Sequence, residues 1–232
     1  MLFRQLFDAE TSTYTYLVSD PVTQEALFVD PVLEQFQRDS QVLEQLGLTL
    51  QYCLETHIHA DHITATGEFR KITGCQGIVP QNAQADCADR FITNGEEITL
   101  GNIVIQAIAT PGHTDSHMAY LVDGTHLLTG DALFIRGCGR TDFQSGDAGI
   151  LFDSVTKRLF TLPDSTQIYP GHDYRGLTVS TIGEEKQFNP RFKGRDRQQF
   201  IEFMASLDLP DPKKMMEAVP ANERCGNVAL IS

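Results

Sequence analysis

The residues with the clearest chemical potential form one short cluster, Thr56-His57-Ile58-His59-Ala60-Asp61-His62, which directly follows a strand-like apolar run. Because side chains two positions apart in an extended chain share a face, His57 and His59 are expected to point the same way. A helix that began just after them would bring Asp61 and His62 back towards the same point. The cluster therefore predicts a metal site.

Three further candidate ligands follow later strand-like runs, each beside a glycine. They lie in Thr110-Pro111-Gly112-His113-Thr114, Thr129-Gly130-Asp131-Ala132 and Tyr169-Pro170-Gly171-His172-Asp173. With the cluster they make seven candidates, namely His57, His59, Asp61, His62, His113, Asp131 and His172. All are imidazole or carboxylate donors, which suit zinc, iron or manganese and exclude a thiolate-rich structural zinc site.

Strand and helix patterns can be recognised along the segments that must position these candidate ligands. Strands are predicted over residues 13–18, 25–29, 48–55, 77–80, 97–100, 103–109, 118–122, 126–129 and 167–169. Helices are predicted over residues 33–46, with a stop at Gly47, and over 63–72, 151–162, 181–187 and 197–207. Asp123-Gly124 predicts a two-residue hairpin. We expect one domain over residues 1–232, in which residues 208–232, with Pro210, Pro212 and Pro220, wrap over the core as a loop.

The composition describes a soluble globular protein, with 41% hydrophobic and 21% charged residues. A net charge of −13 disfavours a nucleic-acid partner. The five cysteines are odd in number and lack paired spacing, which predicts reduced thiols. No apolar run approaches the length of a membrane span and no signal peptide is recognisable, so a cytoplasmic location without membrane attachment is expected.

The order of the ligands and the glycines beside them resemble the metallo-β-lactamase superfamily over residues 50–175. That resemblance implies an α/β fold of the αββα sandwich type, with the metal site at one edge of two sheets. It leaves the reaction open, because this fold serves hydrolases, nucleases, flavoproteins and dioxygenases.

A narrower resemblance rests on four segments. They are residues 130–144, which contain Arg136-Gly137-Cys138-Gly139-Arg140-Thr141-Asp142-Phe143, residues 168–174, Asn189-Pro190-Arg191 and Val219-Pro220-Ala221-Asn222. These segments are similar to those of the persulfide dioxygenase, or sulfur dioxygenase, family. The similarity extends from about residue 4 to residue 226.

This resemblance implies one Fe(II) per chain, held by His57, His113 and Asp131, with three coordination positions left for substrate and O2. The other four candidates, His59, Asp61, His62 and His172, would then orient the ligands through hydrogen bonds. The implied reaction oxidises glutathione persulfide with O2 and water to sulfite and glutathione. The resemblance also suggests a homodimer.

The same resemblance assigns Arg140 and Tyr174 to the glutathione pocket, where a guanidinium suits a carboxylate. Arg136, Arg175 and Arg191 are weaker candidates, for which a structural ion pair is the competing interpretation. Cys138 is expected to be a small buried residue beside a glycine turn. His117 is expected to lie in a loop or to support the ligands, and His126 is expected to be exposed.

Two other functions fit the same ligands. The first is a glyoxalase-II-like thioester hydrolase with two metals, in which Asp131 would bridge both ions and a bound hydroxide would attack the carbonyl. The second is a metal- or thiol-binding sensor without catalysis. The short C-terminal region favours the dioxygenase over the hydrolase, because glyoxalase II enzymes usually carry a helical region there.

Overall fold

The structure is a computed structural model that describes residues 1–209 and 214–226. The chain divides into two compact units. Unit 1 comprises Met1–Ile92, Ile98–Val104 and the described part of Asp211–Ser232, and unit 2 comprises Thr93–Glu97 and the described part of Ile105–Pro210. The single domain over residues 1–232 stays a prediction.

The described residues form two runs of strands, with helices between some of the strands and three helices at the C-terminal side. The strands are β1 (Leu2–Asp8), β2 (Thr13–Ser19), β3 (Glu25–Val29), β4 (Thr49–Leu54), β5 (Gln76–Pro80), β6 (Arg90–Ile92), β7 (Glu97–Leu100), β8 (Ile103–Ala109), β9 (Met118–Val122), β10 (His126–Gly130), β11 (Gln167–Pro170) and β12 (Ser180–Thr181). The α-helices are α1 (Phe36–Leu46), α2 (Thr66–Thr73), α3 (Ala148–Lys157), α4 (Ile182–Phe188), α5 (Arg197–Ala205) and α6 (Met215–Asn222). None of these described helices combines the length and apolar composition needed to cross a bilayer.

The sheet of unit 1 has the order β1-β2-β3-β4-β5-β6. Strands β1 to β3 are antiparallel, whereas β3 to β6 pair in parallel. The parallel pairs β3–β4 and β4–β5 need crossovers, which α1 and α2 supply. Helix α1 ends as predicted at Gly47, whose φ of 64° lies in the left-handed region that glycine adopts without strain. Phe28 of β3 packs against Phe69 of α2, with ring centroids 5.0 Å apart.

The second sheet has the order β12-β11-β10-β9-β8-β7. Strands β8 to β10 are antiparallel, and β10 pairs with β11 in parallel. The hairpin between β9 and β10 turns at Asp123-Gly124 as predicted, and both residues have positive φ. The predicted two-residue loop was one residue too short, because Val122 pairs with His126 and Thr125 also lies in the turn. In the core of unit 2, Phe192 and Phe200 stack with centroids 4.9 Å apart.

Several sequence-based element predictions were wrong. β1 was not predicted, because apolar and polar residues do not alternate cleanly in the sequence of Leu2–Asp8, and its pairing with β2 supplies the missing information. The helix predicted over residues 63–72 begins only at Thr66. The helix predicted over residues 151–162 is α3, followed by a separate 3-10 turn at Leu159–Thr161.

The C-terminal region was also predicted wrongly. The loop expected over residues 208–232 contains helix α6, which includes Pro220 near its end. The three prolines of this region suggested a loop, yet only Pro220 lies in a described helix. Pro210 and Pro212 lie outside the described residues.

The prediction of five reduced thiols was wrong for two of them. Cys87 and Cys225 form a disulfide across a sequence separation of 138 residues, a pairing that the spacing of cysteines along the chain cannot reveal. Cys53, Cys75 and Cys138 are free and buried. The prediction of a buried Cys138 is confirmed, and burial raises the pKa of its thiol to about 12.

Reduction of the Cys87–Cys225 disulfide should lower the free energy of unfolding by roughly 2–5 kcal/mol, because the bond closes a long loop in the unfolded chain. Urea unfolding followed by circular dichroism, with and without a thiol reductant, measures this difference. The double variant Cys87→Ser/Cys225→Ser is the control, and its unfolding midpoint should not respond to reductant. An equal response in the variant and the parent chain would contradict the prediction.

Candidate metal centre

The histidine cluster of unit 1 occupies a loop between β4 and α2. Its three histidine side chains are buried, and the ring centroids of His57 and His59 are 4.1 Å apart, while those of His59 and His62 are 4.2 Å apart. The expectation that these imidazoles come together is therefore confirmed. The expected local conformation was wrong, because residues 57–62 are neither strand nor helix.

Asp30, which the sequence analysis did not consider as a site residue, organises this loop from the end of β3. Its carboxylate accepts hydrogen bonds from Thr56 N at 2.7 Å and from Thr56 Oγ1 at 2.9 Å. The Thr56 hydroxyl has only one hydrogen, so at its 2.9 Å contact with His57 Nδ1 it must accept. His57 therefore carries its proton on Nδ1, and the lone pair on Nε2 is the one suited to a metal.

The same carboxylate binds His59, whose Nε2 lies 3.1 Å from Asp30 Oδ1 and 3.5 Å from Glu55 Oε2. Burial works against the charged form of both partners. The His59 imidazole and the donors of Thr56 nevertheless hold the pKa of Asp30 below its ordinary value. Asp30 and Glu55 in turn raise the pKa of His59 well above its ordinary value, so the protonated imidazole is favoured.

Asp61 and His62 form a second group with His59, in which one donor atom from each residue lies within 4.8 Å of the others. His62 Nδ1 donates to Asp61 Oδ2 at 3.0 Å. The lone pair of His62 therefore lies on Nε2, which is buried and has no hydrogen-bond partner among the described residues. A buried orphaned nitrogen of this kind could bind a cation.

Asn222 of α6 closes the loop from the C-terminal side. Its side-chain nitrogen donates to the carbonyls of His59 at 2.9 Å and His62 at 2.8 Å, and its side-chain oxygen accepts from Thr64 N at 2.9 Å. One buried amide thus holds three backbone groups of the cluster loop. In the sequence, Asn222 stands out only as part of a family-like segment, because a contact across about 160 residues leaves no local signal.

In unit 2, Asp131 lies between two of the predicted histidines just after β10. Asp131 Oδ2 is 3.6 Å from His113 Nε2, and Asp131 Oδ1 is 3.5 Å from His172 Nε2. His113 Nδ1 lies 2.8 Å from the Arg140 carbonyl, which can only accept, so Nδ1 carries the proton and Nε2 the lone pair. The structure brings these three predicted residues together.

Gly139 explains why the chain can pass so close to these ligands. Its N–H donates to the Asp131 carbonyl at 2.8 Å. A Cβ at this position would lie 2.5 Å from Asp131 O and 2.9 Å from His113 Nδ1, distances that real Cβ atoms do not show. A glycine is therefore required at position 139, because the backbone passes close to two predicted ligands.

The two residues predicted to bind substrate have different surroundings. The Arg140 guanidinium pairs with Asp142 through two hydrogen bonds of 2.8 and 2.9 Å and lies 5.7 Å from the ring of Phe143. Tyr174 is 71% exposed, and its ring lies parallel to that of His172 with centroids 6.1 Å apart. Tyr174 is thus an exposed aromatic residue beside a predicted site histidine.

The three weaker arginine candidates all have protein partners. Arg136 pairs with Glu184 and Glu185, Arg175 donates to the Ile135 carbonyl, and Arg191 contacts Met204 Sδ. These contacts favour structural roles over substrate binding.

The other two histidines also differ in their surroundings. His126 is half-buried rather than exposed and stacks on Tyr169. His117 is buried, and its Nε2 accepts a hydrogen bond from Asp131 N at 2.9 Å. It is thus a supporting residue, one of the two roles expected for it.

The donor groups within each unit fit a bound metal. His57 and His113 each have Nδ1 engaged with a protein acceptor, as metal-ligating histidines usually do. Asp131 Oδ1 is buried and accepts no hydrogen bond from the described residues. Nitrogen and carboxylate donors suit iron, zinc or manganese, and they do not distinguish among these metals.

The variant Gly139→Ala should lower metal affinity roughly 10- to 100-fold, because the added Cβ displaces the backbone that holds His113 and Asp131. Metal analysis and competition with a chelator measure the effect. Gly137→Ala is the matched control in the same segment, since its Cβ would meet nothing closer than 3.7 Å. Equal metal retention by both variants would contradict this explanation of Gly139.

Comparisons with known proteins agree with these features. Residues 9–172 match the model of the metallo-beta-lactamase superfamily. The chain is 47% identical to the mitochondrial persulfide dioxygenase ETHE1 of Mus musculus, covering 97% of this chain and 89% of the relative. It is similar to the crystal structure of ETHE1 from Myxococcus xanthus with a TM-score of 0.96 and 53% identity, covering 98% of this chain and 100% of that one.

A more distant relative bears on the hydrolase alternative. Glyoxylase B2 of Dictyostelium discoideum is 27% identical over 95% of this chain and 89% of its own length. This identity is well below that to the mammalian persulfide dioxygenase.

Proposed function

The chain belongs to the metallo-β-lactamase superfamily and, within it, to the persulfide dioxygenase family, and we propose that it oxidises glutathione persulfide at a single ferrous ion. The predicted α/β fold class with two sheets is confirmed by the same similarity. The observation that carries the proposal is 47% identity over nearly the whole chain to an enzyme named as a persulfide dioxygenase.

The proposed reaction balances with one persulfide, one O2 and one water on the substrate side. The products are one molecule of glutathione and one of sulfite with its protons. The terminal sulfur of the persulfide is oxidised and O2 is reduced, and the bond between the two sulfur atoms breaks. Glutathione keeps the inner sulfur as a thiol.

The proposed ligands of the iron are His57, His113 and Asp131. A bound ferrous ion would supply open coordination positions for the terminal sulfur and O2 and the electrons that activate O2. With one carboxylate among the ligands, the centre would keep a positive charge that attracts a persulfide anion. The hydrogen bonds at His57 Nδ1 and His113 Nδ1 orient each imidazole so that its Nε2 can face the ion.

The remaining candidates are proposed to support these ligands. His172 lies beside Asp131 Oδ1, where a donated hydrogen bond would orient the carboxylate. His59 Nε2 lies between the carboxylates of Asp30 and Glu55, which engage that nitrogen with protein groups. These contacts support a role for His59 outside the ligand set.

One observation favours the hydrolase alternative. His59, Asp61 and His62 lie close enough together to hold a second ion, and the buried His62 Nε2 lacks a partner among the described residues. A two-metal centre would use Asp131 as the bridge and cleave a glutathione thioester with a metal-bound hydroxide. The number of metal ions per chain therefore separates the two functions.

Protein purified without oxygen in iron-rich medium should contain one iron per chain and consume one O2 for each sulfite formed from glutathione persulfide. Metal analysis, an oxygen electrode and sulfite determination measure these quantities. His113→Ala should lose both iron and oxygen uptake, whereas the control His126→Ala should keep both. Two zinc ions per chain with cleavage of a lactoylglutathione thioester would overturn the proposal, and metal binding without either activity would favour a sensor.

We propose that Arg140 and Tyr174 bind the glutathione part of the substrate. The Arg140 guanidinium presents a fork of donors that already holds the carboxylate of Asp142, and a carboxylate of glutathione suits the same geometry. Asp142 has a largely exposed side chain, so exchange of its carboxylate for that of a ligand needs little rearrangement. In the proposal, the exposed Tyr174 ring beside His172 supplies an apolar surface for the same part of the substrate.

Arg140→Ala should raise KM for glutathione persulfide by roughly 10- to 100-fold, the value of a lost charged hydrogen bond, with little change in iron content. Iron is retained because the backbone carbonyl that orients His113 is still present. Steady-state oxygen uptake measures KM and kcat. The control Lys157→Ala removes one exposed positive charge elsewhere and should leave KM unchanged, and an unchanged KM in Arg140→Ala would refute the assignment.

The remaining expectations also stand as proposals. We propose a homodimer in the cytoplasm, without nucleic-acid or membrane partners, although the mammalian relative is named as mitochondrial. The net charge of −13 supports the absence of a nucleic-acid partner. Light scattering on the purified protein tests the dimer, and cell fractionation tests the compartment.

A further inference from the structure

His117 closes the loop that carries His113. The loop begins at Thr110, whose backbone N–H donates to the His117 carbonyl at 2.9 Å, and the side chains of the same two residues meet at 2.8 Å. Both side chains are buried. His113 thus sits on a short loop whose two ends are joined by a backbone and a side-chain hydrogen bond.

The hydrogen bonds of His117 determine its tautomer. Asp131 N is a donor only, so His117 Nε2, 2.9 Å away, must accept and therefore carries a lone pair. The ring proton then lies on Nδ1 and is donated to Thr110 Oγ1. Both ring nitrogens are engaged in this way, which leaves His117 as a link between protein groups rather than a metal ligand.

The backbone of Asp131 lies where the sheet no longer supplies its hydrogen bonds. Strand β10 ends at Gly130, so the backbone of Asp131 lies just beyond the sheet. Its carbonyl accepts from Gly139 N, and its N–H is bound by His117. One imidazole therefore connects the backbone of Asp131 with the loop of His113.

We propose that His117 is a positioning residue for the metal, fixing the backbone of Asp131 relative to the His113 loop through its neutral Nδ1–H tautomer. This inference rests on the proposed function only in that His113 and Asp131 bind a metal. It does not depend on which substrate is oxidised. Metal binding, rather than persulfide oxidation, is therefore the property to measure.

Two substitutions at His117 separate its two hydrogen bonds. The side-chain oxygen of Gln reaches the place of Nε2 and can accept from Asp131 N, whereas the shorter Asn reaches only the place of Nδ1 and can donate to Thr110. We expect His117→Gln to bind Co(II) within about threefold of the parent chain and His117→Asn to bind it roughly 10- to 100-fold more weakly. Chelator competition measures affinity, and the visible spectrum of bound Co(II) reports its ligand geometry.

The stability of the metal-free variants separates positioning from a merely structural role. Thermal unfolding of both metal-free variants should give similar midpoints, while affinity and Co(II) spectrum differ. Equal affinities and spectra for the Gln and Asn variants would overturn the proposal. It would also be overturned if loss of affinity followed loss of thermal stability across the variants.

Thr110 provides an independent test of the tautomer. Thr110→Ser keeps the acceptor for His117 Nδ1–H and should keep metal affinity and the Co(II) spectrum. Thr110→Val has nearly the same shape but leaves the Nδ1–H of His117 buried without an acceptor. This favours the Nε2–H tautomer, which opposes the N–H of Asp131, whereas the side-chain oxygen in His117→Gln always accepts. Thr110→Val should therefore weaken Co(II) binding about tenfold or more. Equal affinity in both variants would refute the role of the tautomer. A parent chain that binds metal normally without oxidising persulfide would refute the proposed function and leave this inference intact.

Discussion

Hydrogen bonds to the imidazole nitrogens that face the protein are the interactions on which the candidate metal centre depends. A neutral imidazole has one lone pair, and the partner at its other nitrogen decides where that lone pair lies. The Thr56 hydroxyl accepts from Nδ1 of His57, and the Arg140 carbonyl accepts from Nδ1 of His113. The lone pair of each ring therefore lies on Nε2. Thr56 is itself held by Asp30. The folded chain thus orients these two predicted ligands before a metal binds, which limits the ordering that metal binding would require.

The loops that carry these ligands lie beyond the ends of strands, where the hydrogen-bond ladders of the sheets no longer hold the backbone. Buried polar side chains replace the ladders there. Asn222 binds three backbone groups in the cluster loop of unit 1, and His117 binds the backbone of Asp131 in unit 2. Gly139 adds a backbone contact that any larger residue would prevent. Each loop can therefore be irregular and still hold its ligands in one arrangement.

Few of the arginines considered for substrate binding are proposed to meet the anionic substrate, in a chain that carries a net charge of −13. Arg136, Arg175 and Arg191 are engaged with protein groups. In the proposed function, the positive charge that meets an anionic persulfide comes from the metal and from Arg140. This arrangement confines the attraction to the site, where it acts over short distances in a partly buried environment.

The sequence by itself determined the features that depend on local pattern. The hairpin at Asp123-Gly124 and the helix end at Gly47 follow from the backbone preferences of those residues. The seven candidate ligands and the family follow from residue types at a characteristic spacing. These signals are contained in short segments, so they can be recognised without knowing the fold.

The tertiary structure alone decided which distant groups meet. The Cys87–Cys225 disulfide joins residues 138 positions apart, and Asn222 reaches the histidine loop across about 160 positions. In the sequence, Asp30 merely follows a predicted strand and precedes Pro31. Its role in holding the histidine loop depends on the positions of Thr56 and His59 next to its carboxylate. The physical reason is that a hydrogen bond or a disulfide depends on distance in space, which sequence spacing does not encode.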